Sequence, residues 1–266
     1  MQVMILRRLG NKSELSSSII KHFPKHKYFV DVFFGAGGIF FNKPKSDYNI
    51  LNDIDSDVTN LFLVVLNQKD ELEKSFYEMP IHSDLVKYWY SKIEDEPIKK
   101  ALRFLLLSNF TLLGTGTSVR HMVSSGAGGV KDFKNKFKEK LDITFSMLYG
   151  CNFTNFDFRK FLNSLSFSND GRNDEAKTFI YADPPYLATT NNYSHSFIEQ
   201  DSIDLFDCLE NSKCKFAYSE FNNPFILDQA KQRNLNVIEI GERQNLKNRR
   251  TEILITNYET ERSLFD

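Results

Sequence analysis

Apolar and β-branched residues gather in seven short runs along the chain: "YFVDVFF" (28–34), "YNILND" (48–53), "NFTNFDF" (152–158), "TFIYAD" (178–183), "KCKFAYS" (213–219), "LNVIEIG" (235–241) and "TEILITNY" (251–258). Most are continuous rather than alternating, the pattern of strands covered on both faces of a parallel sheet. Helical spacing fills the gaps between most of them. "SELSSSIIKHF" (13–23) opens on Ser13 as a cap, and "SDVTNLFLVVLNQ" (56–68) follows an Asp-rich start. "SIDLFDCLEN" (202–211) and "PFILDQAKQRN" (224–234) follow the fourth and fifth strands. Only about ten residues and no convincing helix join the last two strands, which predicts an antiparallel pair at the end of an α/β sheet.

One stretch breaks the rhythm. From 69 to 150 the pattern is helix and loop, with "EPIKKALRFLLLSNF" as its strongest helix and a Gly/Ser-rich patch at 114–129. The chain is therefore expected to comprise one α/β domain, 1–68 with 151–266, and an inserted subdomain at 69–150.

Composition narrows the class. Hydrophobic content of 41% with 26% charge is that of an ordinary soluble globular protein. No apolar run reaches the ~18–20 residues of a membrane span, and the N-terminus lacks a signal-peptide layout, so a cytoplasmic protein is expected. Cys151, Cys208 and Cys214 are odd in number and lack zinc-site spacing, which argues against a metal or disulfide framework. The net charge of −1 is neutral about a polyanionic partner, but positive charge is concentrated locally. Arg120, His121, Lys131, Lys134, Lys136, Lys138 and Lys140 cluster within the insert, and Arg243, Lys247, Arg249 and Arg250 precede the last strand. A solvated helix face and an exposed hairpin turn are the plain alternatives for these two clusters.

Three motifs carry chemistry. In "FVDVFFGAGGIFF" a strand ends on Gly35, Gly37 and Gly38, which open the path into a helix whose N-terminus offers amides to a ligand. The spacing is not Gly-x-Gly-x-x-Gly, and a tight strand–helix turn reads equally well. In "ILNDIDSD", Asp53 ends the second strand about twenty residues further on, where an acid binds ribose hydroxyls in a doubly wound nucleoside site. The competing role, capping the next helix, falls to Asp55 or Ser56. In "YADPPY", an acceptor-only carboxylate is followed by two prolines that restrict the backbone, and Pro184 offers a carbonyl without an N–H. Tyr186 adds a ring able to stack on a planar base.

"DVFFGAGG", "NDID" and "DPPY", in that order, resemble the amino-methyltransferases that use S-adenosyl-L-methionine to methylate adenine N6 in DNA, specifically the Dam-type group. "RRLGNKSEL" resembles that group's Lys-Trp-x-Gly-Gly-Lys element, and "RRTEILITNY" its closing strand, so the likeness spans nearly the whole chain. It implies a Rossmann-like seven-strand methyltransferase sheet with an antiparallel last strand, and a target-recognition insert that is mostly helical. It further implies that Arg8, Gly10, Lys12, Asp31, Phe33, Gly35, Ala36, Gly37, Asp53, Ile54, Asp157, Phe158 and Asp183 line the cofactor. Of these, Asp53 would bind the ribose, Lys12 would lie near the carboxylate end, and Asp157 with Phe158 would meet the adenine ring. Asp183, Pro184, Pro185 and Tyr186 would hold the flipped target base, and S-adenosyl-L-homocysteine would be the product. The chain departs from the pattern at Val32, where proline is usual, at Arg8, where tryptophan is common, and at Asn11, where glycine is. It has "GTGTSVRHM" where GATC-specific members carry an Asn-Gly-Leu-x-Arg-like stretch, which points the recognition sequence away from GATC.

The expected reaction has Asp183 and the Pro184 carbonyl accept the two amino hydrogens, freeing the nitrogen lone pair for in-line displacement. Double-stranded DNA is the expected partner, contacted by Arg120, His121, Lys131, Lys134, Tyr193, Arg249 and Arg250. A cognate restriction endonuclease, a monomeric state and no metal complete the expectation. Rival readings are a glutamine-amide methyltransferase, whose motif usually begins with Asn, cytosine N4 as target, and a DNA-binding module without turnover. A nicotinamide dehydrogenase fails on the glycine spacing.

Overall fold

The computed structural model describes residues 4–6, 10–111, 130–169, 172–187, 197–244 and 249–260. These form two compact units, one of residues 1–11, 35–41 and 55–150, the other of 12–34, 42–54 and 151–266.

The second unit holds the sheet. Its strands are β1 (Tyr28–Asp31), β2 (Tyr48–Asn52), β3 (Asn152–Thr154), β6 (Thr178–Ala182), β7 (Lys215–Phe221), β8 (Asn236–Gln244) and β9 (Arg249–Thr256). They lie in the order β3-β2-β1-β6-β7-β9-β8. β1 pairs in parallel with β2 and β6, β2 with β3, and β6 with β7, while β9 runs antiparallel between β7 and β8. Continuous apolar strands are the reason: β6 is buried at all five positions, so both faces need cover. Helices α7 (Phe158–Ser164), α8 (Glu199–Asn211) and α9 (Pro224–Gln232) belong to this unit. From them, Phe161, Leu162, Leu205, Phe206, Leu209 and Ile226 join Val30, Ile180, Phe216 and Ile255 of the sheet in one apolar core.

Several expectations shift in detail. The glycine turn does not open into an α-helix; a single 3-10 turn, Phe40–Asn42, follows it. The third strand stops at Thr154 because Asp157 takes a cap position, its side chain accepting from Arg159 N at 3.0 Å to start α7. α1 (Ser16–Ile20) is shorter than expected, and its cap position is Leu15, with no side-chain bond, rather than Ser13. A two-stranded hairpin, β4 (Ser168–Asn169) with β5 (Arg172–Asn173), was not legible as strand.

The first unit is helical: α2 (Ser56–Asn67), α3 (Lys69–Glu78), α4 (Ser83–Ser91), α5 (Pro97–Phe110) and α6 (Val130–Leu148). Asp55 caps α2 by accepting from Asp57 N at 2.9 Å. Glu96 caps α5, with Pro97 in its first turn, where the missing N–H costs nothing. In α6, Phe133, Phe137, Leu141, Thr144 and Leu148 form a buried stripe at helical spacing. Phe137 stacks on Phe76 of α3 at 4.0 Å between ring centroids, and Phe133 meets Phe110 of α5 edge-on at 5.1 Å. No described helix is long and apolar enough to cross a membrane.

Candidate active site

β1 and β6 are adjacent parallel strands, and the sheet order reverses between them. Ligands of open α/β sheets bind outside the carboxyl ends of the strands at such a point. Both strands end there on carboxyl groups, β1 on Asp31 and β6 with Asp183 as its next residue. Asp31 is buried, and burial first, then the nearby Asp183 and Asp53, hold its carboxyl well above the usual range. Its Oδ1 has no hydrogen-bond partner among the described residues.

Asn52 braces the strand ends. Its side-chain nitrogen donates to the carbonyls of Val32 and Phe156, each at 3.0 Å. Its side-chain oxygen accepts from the Thr154 hydroxyl at 2.8 Å and from Phe156 N at 3.1 Å. A buried amide with four partners fixes three chain segments at once. Asp53 follows directly, its N–H bonded to Thr154 O at 3.2 Å and its carbonyl accepting from the Asn155 side chain at 2.7 Å. Because Asp55 caps α2, the Asp53 side chain is not needed for that cap. Ile54 is exposed. Phe33 packs against Phe158 at 5.7 Å and edge-on against Phe197 at 6.1 Å, an aromatic wall beside these strand ends. Asp157, besides capping α7, pairs with Arg159, which also binds Asp201 and Asp204 of α8.

The Asp-Pro-Pro-Tyr turn is fastened at both ends. Lys12, almost fully buried, lies 2.8 Å from Asp183 Oδ1 and 3.4 Å from Glu252 Oε1 of β9. The same ammonium sits 4.3 Å over the Tyr186 ring. The Tyr186 hydroxyl donates to Glu252 Oε1, which also accepts from Ser219 Oγ at 2.9 Å. Tyr186 meets Phe221 edge-on at 4.6 Å, and the Arg250 guanidinium lies 5.4 Å from the Phe221 centroid. Past the turn, Leu187 N donates to Glu220 Oε2 at 3.3 Å and Phe221 N to its Oε1 at 2.8 Å. Burial pushes the Glu220 carboxyl up to about 8. Burial also raises Asp183 above its ordinary value; Lys12 opposes the shift and Glu252 adds to it.

The structure thus brings Lys12, Asp183 and Tyr186 together, whereas sequence reading gave Lys12 to the cofactor alone. It adds Glu252, Glu220 and Ser219, which that reading missed. The signal was present: a single acid stands in the apolar run "EILIT", and another in "AYSEF". Gly10, Gly35 and Gly37 belong to the other compact unit and adopt positive φ of 91°, 54° and 73°, with Ala36 between the last two buried.

The basic residues divide. Arg8, Arg120, His121 and Tyr193 lie outside the described residues, as does the Arg249 side chain. Lys131 is exposed at the start of α6. Lys134 instead donates to the carbonyls of Tyr77 in the last turn of α3 and of Met79 just past it, at 2.8 and 2.6 Å. Lys136 pairs with Asp132, Lys138 with Glu73, and Lys140 reaches Met4 O. Among the described residues no cluster of His, Cys, Asp or Glu could hold a metal ion.

A sheet of this order, with its one antiparallel strand next to the edge, is consistent with a methyltransferase fold. Residues 9–249 match the family described as D12 class N6 adenine-specific DNA methyltransferase, and the chain belongs to that family. Among similar proteins is the modification methylase StsI of Streptococcus sanguinis, 26% identical over 96% of this chain and 43% of its own length. The DNA adenine methylases of Salmonella typhi and Escherichia coli (strain K12) are 27% and 28% identical, over 77% and 71% of this chain and 75% and 67% of theirs. The chain therefore spans less than half of the first and from two thirds to three quarters of the other two.

Proposed function

We propose that the protein transfers a methyl group from S-adenosyl-L-methionine to the N6 amino group of adenine in double-stranded DNA, with the base flipped out to meet Asp183. The observation that carries this reading is Asp183 itself, held at the end of β6 by a buried lysine and followed by a turn tied to β9. When bound, S-adenosyl-L-methionine supplies an electrophilic methyl on a sulfonium sulfur and leaves as S-adenosyl-L-homocysteine.

The residues fit a cationic nucleoside ligand. The buried Asp31 Oδ1 lacks a partner, and its carboxyl, held up by burial, becomes easier to ionise beside a positive group. Asp53, Ile54, Phe33 and Phe158 offer a carboxylate for ribose and apolar faces for a purine. Asp157 is already a helix cap, which leaves Phe158 as the stronger of that pair. For Gly10, Gly35 and Gly37 the assignment rests on the motif and on their backbone angles, and for Ala36 on the motif alone.

At the base, Asp183 accepts one hydrogen of the amino group and the Pro184 carbonyl the other. The nitrogen then turns its lone pair away from the ring, and the surplus proton passes to Asp183 once the new bond has formed. Lys12 opposes the effect of burial on Asp183 and so favours its ionised, accepting form. Tyr186 holds the turn through its hydroxyl, and a base stacking on it shares the ring with the Lys12 ammonium.

The inserted subdomain, 69–150, is assigned to target recognition, and Lys131 and Arg250 to phosphate contact. The lysines engaged within the protein, Lys134 foremost, contribute to folding instead. The name of the Streptococcus relative supports pairing with a cognate restriction endonuclease, and DNA as substrate supports action in the cytoplasm; a monomer is part of the same proposal. Incubating plasmid DNA with the protein and S-adenosyl-L-methionine, then mapping modified bases by long-read sequencing, tests the reading. N6-methyladenine at one short sequence is expected; N4-methylcytosine alone would overturn the choice of base.

A further inference from the structure

Glu252 is the only acid in β9, it is fully buried, and the resemblance of its strand to a closing strand gives it no role of its own. Its Oε1 takes the Tyr186 and Ser219 hydroxyls and lies 3.4 Å from the Lys12 ammonium, while that ammonium lies 2.8 Å from Asp183. A fully buried carboxyl on β9 and a partly buried one just past the end of β6 thus share one buried cation. We propose that Glu252 is a positioning residue for Asp183: it draws the Lys12 ammonium partly away from the acceptor carboxylate and anchors Tyr186 at the far end of the turn, so that the protonation of Asp183 is set from β9. The proposal deepens the methyl-transfer reading and rests on Asp183 as the amino-group acceptor.

The chemistry requires such a balance. To accept a hydrogen bond Asp183 must be ionised, and to take the surplus proton afterwards it must not be too weak a base. Lys12 alone, at 2.8 Å in a buried setting, would favour the first at the expense of the second. A second carboxylate on the same ammonium restores basicity. Among the described residues, the remaining groups facing Asp183 are Asp31 from β1, Glu220 and Tyr218 from β7, Tyr181 from β6 and Tyr186 from its own turn. Burial holds Glu220 up to about 8 and the tyrosines well above their ordinary value, and Lys12 and Glu252 are the neighbours that bear on Asp183 most directly.

The test is the titration of Asp183 itself. The full chain is prepared with carboxyl-13C aspartate, and the Asp183 resonance is assigned by its disappearance in Asp183→Asn. Glu252→Gln retains a carbonyl that can accept from Tyr186 and Ser219 but removes the charge. Asp183 is expected to titrate lower by about one pH unit, the size of a single neighbouring charge, and the acid limb of the kcat–pH profile to move with it. Lys12→Met is expected to move both upward. A purely structural role for Glu252 predicts lower activity with the Asp183 titration unmoved; that result, or a shift in the same direction as Lys12→Met, overturns the proposal. Should Glu252→Gln not fold, Ser219→Ala removes one donor from Glu252 Oε1 and leaves its charge to draw Lys12 more strongly. Asp183 then titrates higher, and an unmoved resonance overturns the proposal. The NMR arm needs no substrate, so a protein that methylates no DNA but shows the opposed shifts would contradict the methyl-transfer reading and not this one.

Discussion

Glu220 shows how one residue can serve the site at a cost to stability. Its carboxyl accepts two backbone N–H groups, from Leu187 and Phe221, and so fixes the exit of the Asp-Pro-Pro-Tyr turn. Burial pushes it from 4.5 up to about 8. Between those values the folded protein keeps a proton that the unfolded chain has released, so stability is full below pH 4.5 and falls as pH rises toward 8. Glu220→Gln removes that dependence. Urea unfolding at pH 5, 7 and 8.5 is expected to show the variant gaining on the wild type as pH rises, and parallel curves would contradict it. Sequence reading could place Asp183 and Tyr186 because a motif names them. Glu220 and Glu252 carry no motif: an acid within a β-branched run looks like a solvent-facing position until the strand on either side is known. Only the packing around the strands, which leaves both side chains without exposure, shows that both lie inside.

The elements follow local rules with few exceptions. Asp55 caps α2 by accepting a bond from Asp57 N. Asp55→Ala is expected to destabilise the fold by about 1 kcal/mol. In a chain of this size that lowers Tm by roughly 2–4 °C, measurable by calorimetry; an unchanged Tm would mean another group takes over the cap. The central strands were legible because burial on both faces leaves unbroken apolar runs, as in β6, whereas β3 and β8 at the two edges are only partly covered. The helix expected after the glycine turn was not there to be found. Three glycines supply no helix propensity, and Phe40 and Phe41 turn inward to bury their rings within a single 3-10 turn instead. The third strand was overread because the apolar run "NFTNFDF" continues through Asp157, whose capping of α7 ends any strand before it.

At the scale of the whole molecule, a net charge of −1 conceals an uneven distribution, and the structure sorts the positive residues further. Lys134, Lys136 and Lys138 are bound to partners within the helical unit, so a count of lysines overstates what the insert can offer to phosphate. The catalytic account does not depend on that count. It rests on one carboxylate at the end of β6, braced by Lys12, and on the match of residues 9–249 to an adenine-specific family. Its most direct test is transfer of labelled methyl to duplex DNA under single-turnover conditions by the wild type and by Asp183→Asn, with S-adenosyl-L-homocysteine binding measured in parallel by calorimetry. Asparagine keeps the shape but loses the charge and half of the acceptor capacity. The account predicts a fall in the transfer rate of at least about a hundredfold, the lower range for losing a positioned acceptor, with S-adenosyl-L-homocysteine affinity within a few-fold of wild type. Near-normal transfer by Asp183→Asn would contradict it.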